Sequence, residues 1–352
     1  EHCCGGHRQW FGRWILVLIG HTLKNEPHSA VLMRAPLMAL LMLSFSLAGC
    51  LESGNSLNNG PGDPDLSTPA EWQIGQWWLY TFSTPDWEDD SARLVVAEDD
   101  AEDGTAYMLA ISSEREAKRH AVLNHNPFLG RITHDNLSAY ENGAPQSVLN
   151  FPLEVGKSWS FTLFGIDWNT EVIGLNNGKA SLSATSTDGQ TLTYSYDGWA
   201  GFLGSLTWYD SSEILQLRMM LTGSGDGHTG NVWFIRAGDI FADEWVHESG
   251  APEVEITDSF FVGDHPSQGP YDQMIYWLDA EMGGGASSGS LTLRDHNSAS
   301  ALTRQWGSGA QESGNLGTIP YPSGDYTLTI TQTGDSYIRL IVAGGLTNSW
   351  EL

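Results

Sequence analysis

Apolar and polar side chains alternate along most of the chain after residue 70. Trp78, Tyr80 and Phe82 occupy every second position, and residues 191–196 (TLTYSY) follow the same rule. Because successive side chains of a strand point to opposite faces, this pattern predicts half-buried antiparallel strands. Asp-Gly and Asn-Gly pairs, which suit tight hairpin turns, recur between such stretches. Residues 112–123, rich in Glu and Arg, form the one good helical candidate.

The alternating pattern is also duplicated. Residues 74–82 (IGQWWLYTF) align with residues 155–163 (VGKSWSFTL) at an offset of 81, and residues 128–133 (FLGRIT) match residues 202–207 (FLGSLT) at an offset of 74. Two blocks in the same order predict two related units.

The predicted units span residues 71–150 and 151–246. They form either two small domains or two halves of one barrel-like sheet. A shared core is favoured, because about 80 residues of short strands bury only a modest core alone.

A third β region is predicted over residues 253–352, after a linker at 247–252. Residues 322–330 (PSGDYTLTI) resemble the penultimate strand of pre-peptidase C-terminal-type β-sandwich domains, and residues 291–295 (LTLRD) resemble their central strand. This resemblance implies a non-catalytic accessory β-sandwich. The predicted fold class is therefore all-β, with a duplicated antiparallel region followed by a sandwich.

The segment that starts at Met33 reads MRAPLMALLMLSFSLAGC. One Arg, a short apolar run and small residues are the pattern of a secretory signal. Its end, Leu47-Ala48-Gly49-Cys50, resembles the lipobox of prokaryotic lipoproteins. The resemblance implies cleavage before Cys50, a lipid on its sulfur and an extracytoplasmic, membrane-anchored protein. The alternatives are an ordinary signal peptide and a buried helix.

On this interpretation residues 1–49 are upstream sequence and signal peptide, with Met33 as the start. Residues 50–70, rich in Gly, Asn, Ser and Pro, are the lipidated Cys and a flexible tether. The only cysteines are Cys3, Cys4 and Cys50, so a chain cut before Cys50 cannot form an internal disulfide.

The charge balance restricts the partners. The 352 residues include 16 Lys and Arg against 43 Asp and Glu, a formal net charge of −27. Nucleic-acid binders that follow phosphates need a basic surface, so this class is excluded. Attraction to anionic lipids through a basic patch is excluded on the same ground. The membrane contact that we expect is the anchor at Cys50.

Tryptophans are the candidate ligand-binding residues. Trp77, Trp78, Trp87 and Trp168 could form a platform for a glycan or an apolar small molecule. Because Trp77 and Trp78 are adjacent on a predicted strand, they should point to opposite faces. The competing interpretation is that all four pack in the core.

One acidic cluster is a candidate metal site. Asp86, Glu88, Asp89 and Asp90 supply the hard oxygen ligands that calcium prefers, which would make a weak structural site. The competing interpretation is a solvated hairpin loop. No other cofactor is expected.

Three functions fit these observations. The favoured hypothesis is a lipid-anchored binding or scaffold protein of the cell envelope without catalytic activity. The second is a secreted glycan-acting hydrolase with two loop carboxylates, and the third is a purely structural or adhesive surface protein. Whether two carboxylates approach each other in an aromatic-lined cleft would separate the second from the others.

Overall fold

A computed structural model describes residues 62–123, 126–266 and 268–352. Nearly all the regular secondary structure of the described chain is antiparallel strand, which confirms the predicted all-β fold class. Neither helix of the described part is both long and apolar enough to cross a membrane. The helices are α1 (Ala101–Gly104) and α2 (Glu114–Leu123). The strands are β1 (Trp77–Ser83), β2 (Asp90–Asp100), β3 (Ala106–Ile111), β4 (Gly130–Thr133), β5 (Ala139–Glu141), β6 (Ala144–Gln146), β7 (Ser158–Leu163), β8 (Ile166–Asn176), β9 (Lys179–Ser186), β10 (Thr191–Asp197), β11 (Phe202–Tyr209), β12 (Leu215–Gly225), β13 (Asn231–His247), β14 (Val254–Val262), β15 (Gln273–Met282), β16 (Ser288–Arg294), β17 (Ser300–Trp306), β18 (Gln311–Pro320), β19 (Gly324–Thr333) and β20 (Ser336–Glu351).

Strands β1 to β12 form an antiparallel meander that curls around one core. Each strand pairs with the next except β6 with β7, and β12 returns to pair with β1. The sheet is not a closed barrel, because side chains rather than a strand ladder connect β6 to β7. The side-chain oxygen Oε1 of Gln146 accepts a hydrogen bond from the Thr162 amide at 2.9 Å, and the Trp159 indole donates to the Ser147 carbonyl at 2.7 Å.

The first repeated block, residues 74–82 and 155–163, has the same local structure in both copies. Gly75 and Gly156 have positive φ angles of 84° and 85°. The Gly75 amide donates a hydrogen bond of 2.9 Å to the Val96 carbonyl of β2, and the Gly156 amide donates one of the same length to the Val172 carbonyl of β8. The predicted alternation is confirmed too, because Trp78, Tyr80 and Phe82 are all buried. Both copies contribute to the same buried cluster, so they share one core.

The C-terminal part is a sandwich with its own core. Its outer sheet has the order β14-β19-β16-β17. The facing sheet consists of β18, β15, β20 and β13, and it continues into the meander because β13 pairs with β3 at Trp233 and Ile111. β13, which the sequence assigns to the second unit, pairs along its whole length with the last strand, β20.

The predicted helix is confirmed as α2. Glu114 and Glu116 lie in its first turn, where negative charge stabilises a helix. It buries Ala117 and Ala121 in the same core as Trp277 and Ile341, which lie on the back of the sandwich. The helix therefore fills the space between the meander and the sandwich.

The predicted tether is wrong at its C-terminal end. Leu66 is buried, and its carbonyl accepts a hydrogen bond from the Leu153 amide at 2.9 Å. Chain that packs in this way is part of the fold, so the residues around Leu66 do not belong to a tether. The predicted signal segment and Cys50 lie outside the described residues.

Candidate functional site

A surface groove of about 450 Å³ opens where α2, the β1–β2 loop and the back of the sandwich meet. Five segments line it: the loop, the helix and strands β15, β18 and β20. The side chains that line it include Asp86, Trp87, Glu88, Arg115, Arg119, Trp277, Asp279, Tyr337 and Arg339.

Two neighbouring indole rings lie in the groove, each with a guanidinium group over it. The rings of Trp87 and Trp277 are 5.6 Å apart and nearly perpendicular, at 75°. The Arg339 guanidinium lies 4.6 Å from the Trp87 ring, and that of Arg119 lies 5.4 Å from the Trp277 ring. Cations over indole faces are attracted by the ring quadrupole, so this arrangement is favourable. Trp87 remains half-exposed.

The position of Trp277 is set by hydrogen bonds within the sandwich. Its indole donates to one oxygen of Asp279 at 2.8 Å, and the Gly314 amide of β18 donates to the other oxygen at 2.7 Å. Gly314 has a φ of 62°, and a Cβ at that position would lie 3.0 Å from the Trp277 ring. A glycine is required there both for the conformation and for the space.

The loop that carries Trp87 is held to α2 by Arg119. This side chain pairs with Asp90 at 2.9 Å and donates to the Glu88 carbonyl at 3.1 Å. Both charged groups of the pair are largely buried, with 11% of the Arg119 side chain and 4% of the Asp90 side chain exposed.

The part of the groove beside β20 is polar. Arg339 and Tyr337 both contact Glu244, at 3.4 Å and 3.3 Å. Burial raises the pKa of the Tyr337 hydroxyl to about 12, so this group remains a proton donor at neutral pH.

Of the four predicted tryptophans, only Trp87 lines the groove. Trp78 and Trp168 are fully buried, and their indoles donate to backbone carbonyls at 2.7 Å and 3.0 Å, so for them the core interpretation is correct. Trp77 points to the opposite face from Trp78, as expected. It packs against a small buried cluster that includes Val95 and Val232, and Arg93 lies 4.5 Å from its ring.

The four predicted metal ligands do not come together around one point. Asp86 and Glu88 line the groove, Asp89 is exposed, and Asp90 faces Arg119. Within the described ranges, no three His, Cys, Asp or Glu side chains are grouped so that they could hold an ion. The carboxylate of Asp90 pairs instead with the Arg119 guanidinium of α2.

Sequence reasoning missed Arg119, Trp277, Tyr337 and Arg339. Arg119 lies in the predicted helix, and the other three lie in predicted strands, but no motif connects them. They come from three elements up to 220 residues apart, so only tertiary contacts show that they belong together.

Indole faces, arginines and carboxylates in one groove can bind a ligand by stacking and by charged hydrogen bonds. No family model matches this chain. No curated protein matches it either.

Several solved structures show a distant likeness. MucB in complex with MucA(peri) is 9% identical, with 74% of this chain and 88% of that chain covered and a TM-score of 0.22. The exo-β-1,3-galactanase of Phanerochaete chrysosporium with β-1,3-galactotriose is 10% identical, with 75% and 68% covered and a TM-score of 0.18. The infectious bursal disease virus VP2 subviral particle is 15% identical, with 38% of this chain and 35% of that chain covered and a TM-score of 0.16. Likenesses this weak carry no argument about function.

Proposed function

We propose that this protein is a lipid-anchored, extracytoplasmic binding protein that holds a glycan in the groove beside α2. The observation that carries the proposal is the half-exposed Trp87 between Arg339 and Trp277. The LAGC sequence that ends at Cys50 supports the anchor and the location.

The chemistry of the groove favours a glycan over an apolar molecule. Charged side chains from every lining segment, among them Glu88, Arg115 and Arg339, would lose water to an apolar ligand without replacement bonds. Sugar hydroxyls both donate and accept hydrogen bonds, so they can satisfy carboxylates and guanidinium groups together. The apolar face of a sugar ring can stack on an indole.

The test of the ligand uses the full chain with Cys50→Ser, which removes the acylation site. A glycan array followed by calorimetry on the strongest binder would give a Kd. We expect Trp87→Ala to weaken binding at least about tenfold, a loss of about 1.4 kcal/mol. Trp77→Ala is the matched control, because Trp77 is also half-buried and stacked by an arginine but lies outside the groove. Equal losses in both variants, or no glycan bound, would reject this proposal.

The anchor has a separate test. Expression in a bacterial host, followed by intact mass and proteolytic mapping, should show a diacylglyceryl group on Cys50. The Cys50→Ser chain should then leave the membrane fraction. An unmodified Cys50 in a membrane-associated chain would contradict lipidation.

A hydrolase is the second candidate, because Asp86, Glu88, Glu281 and Glu312 line the same groove as Trp87. Hydrolysis of a glycosidic bond needs two carboxylates on either side of it. New reducing ends from an array-positive glycan, lost in Glu281→Gln, would favour this candidate over binding alone.

A further inference from the structure

One end of the meander presents exposed apolar side chains. Ile74 precedes β1, Val155 precedes β7, Ile173 lies near the end of β8, and Trp199 lies between β10 and β11. Because consecutive strands are antiparallel, β1, β7 and β11 begin where β8 and β10 end, so all four residues lie at the same end. Their exposed fractions are 50%, 63%, 58% and 64%. We call the surface that these four side chains form the apolar end.

The chain enters the fold at the apolar end. A Cβ on Gly178, in the β8–β9 turn, would lie 2.5 Å from the ring of Pro64, so Pro64 packs directly on that turn. Trp199 is next to it, since its indole donates to the Asn177 carbonyl at 3.2 Å and lies 3.0 Å from the same Cβ position.

The number of residues to Cys50 limits the distance to a membrane. Twelve positions separate Cys50 from Gly62. A chain cannot extend beyond about 3.5 Å per residue, so Gly62 stays within roughly 42 Å of an anchored Cys50.

We propose that the apolar end is the surface by which the anchored protein contacts its bilayer, with Trp199 at the level of the head groups. The inference rests on the proposed lipidation of Cys50. Tryptophan suits this position because its ring is apolar and its N–H is polar. Four carboxylates are exposed at this end and would be repelled by anionic lipids, so the contact is with zwitterionic head groups: Asp65, Glu154 and, at the end of β2, Asp99 and Asp100.

This orientation places the groove away from the membrane. The β1–β2 loop with Trp87 lies at the other end of β1, seven residues from the apolar end. At about 3.4 Å per residue the strand spans roughly 24 Å. The groove therefore faces the aqueous phase, where a large glycan can reach it.

The test uses the full chain, processed by its host and reconstituted in phosphatidylcholine vesicles. Trp199→Cys receives a polarity-sensitive fluorophore, and Ile214→Cys is the control, because Ile214 is 54% exposed in the β11–β12 loop at the opposite end. Processing removes Cys3 and Cys4 and acylation blocks Cys50, so each variant carries one free thiol. We expect nitroxide lipids to quench the label at 199 at least about twofold more than the label at 214, and less in phosphatidylglycerol vesicles.

The outcomes separate the two proposals. If mass analysis finds no lipid on Cys50, the anchor fails and this inference fails with it. If Cys50 is acylated but both labels are quenched equally, or position 214 more strongly, the orientation alone is wrong. Thermal unfolding of both variants verifies that they remain folded.

Discussion

Arg119 connects three parts of the molecule through one guanidinium group. It pairs with Asp90 of β2, donates to the backbone of the Trp87 loop and lies over the Trp277 ring of β15. Removing one member of a buried ion pair leaves the other charge without compensation, which is more costly than losing a surface pair. The groove is thus supported by a side chain that is itself mostly covered.

Arg119→Met tests this role. We expect the free energy of unfolding to fall by about 3 kcal/mol, because the buried Asp90 carboxylate loses the guanidinium that pairs with it. Arg115→Met, on the same helix but with 69% of the Arg115 side chain exposed, should change it by less than about 0.5 kcal/mol. Urea titration followed by circular dichroism measures both. Similar small losses in the two variants would show that the Asp90 charge is compensated in another way.

At the scale of elements, the two glycine turns show how a repeated sequence block produces a repeated turn and strand. Each turn brings the chain into the first strand of its copy and donates to a valine of a later strand. The surroundings differ, since a Cβ on Gly75 would lie 3.1 Å from the His228 carbonyl oxygen, whereas a Cβ on Gly156 would meet nothing within 4 Å.

Alanine substitution should separate the cost of a positive φ from the cost of a steric contact. Gly156→Ala adds only the strain of a positive φ, about 1 kcal/mol, while Gly75→Ala adds a steric contact and should cost about 2 to 3 kcal/mol. Chemical unfolding of the single variants measures the difference. A larger loss for Gly156→Ala would contradict the geometry of the β12–β13 loop.

At the scale of the whole molecule, one core joins both copies, and α2 extends it to the back of the sandwich. Ionisation of a side chain in this core affects the stability of the whole unit. Tyr196 is almost fully buried in it, and burial raises its pKa to about 12.

Stability should therefore fall at alkaline pH. Tyr196 has a higher pKa folded than unfolded, where it is near 10, so its contribution is complete below pH 10 and is lost as pH rises through 12. The loss is on the order of 2 kcal/mol. Urea titrations at pH 9 and pH 11.5, with tyrosinate absorbance as a second signal, measure it. Tyr196→Phe should show a smaller drop between these pH values, and an identical drop would assign the effect to other groups.

Local pattern was enough to predict the strands, the helix and the duplication. Alternation with a period of two identifies a strand and shows that Trp77 and Trp78 face opposite sides. It also marks the face of Trp78, Tyr80 and Phe82 as the more apolar one, and this is the face that the core buries. It does not show that the other face is covered too, and Trp77 is partly buried there against residues of other strands.

The sequence by itself determined the all-β class, the repeated turn and strand, and the helix at α2, since each depends on residues close together in the chain. The lipobox-like segment stays a prediction. The groove was decided by tertiary structure alone. Trp87 comes from a loop of the first copy, Arg119 from the helix that follows, and Trp277 and Arg339 from the sandwich. Their meeting requires β13 to pair with both β3 and β20, a long-range pairing that no periodicity in the sequence encodes. Asp90 shows the same limit: its neighbours in sequence suggest a metal site, and its neighbour in space is an arginine.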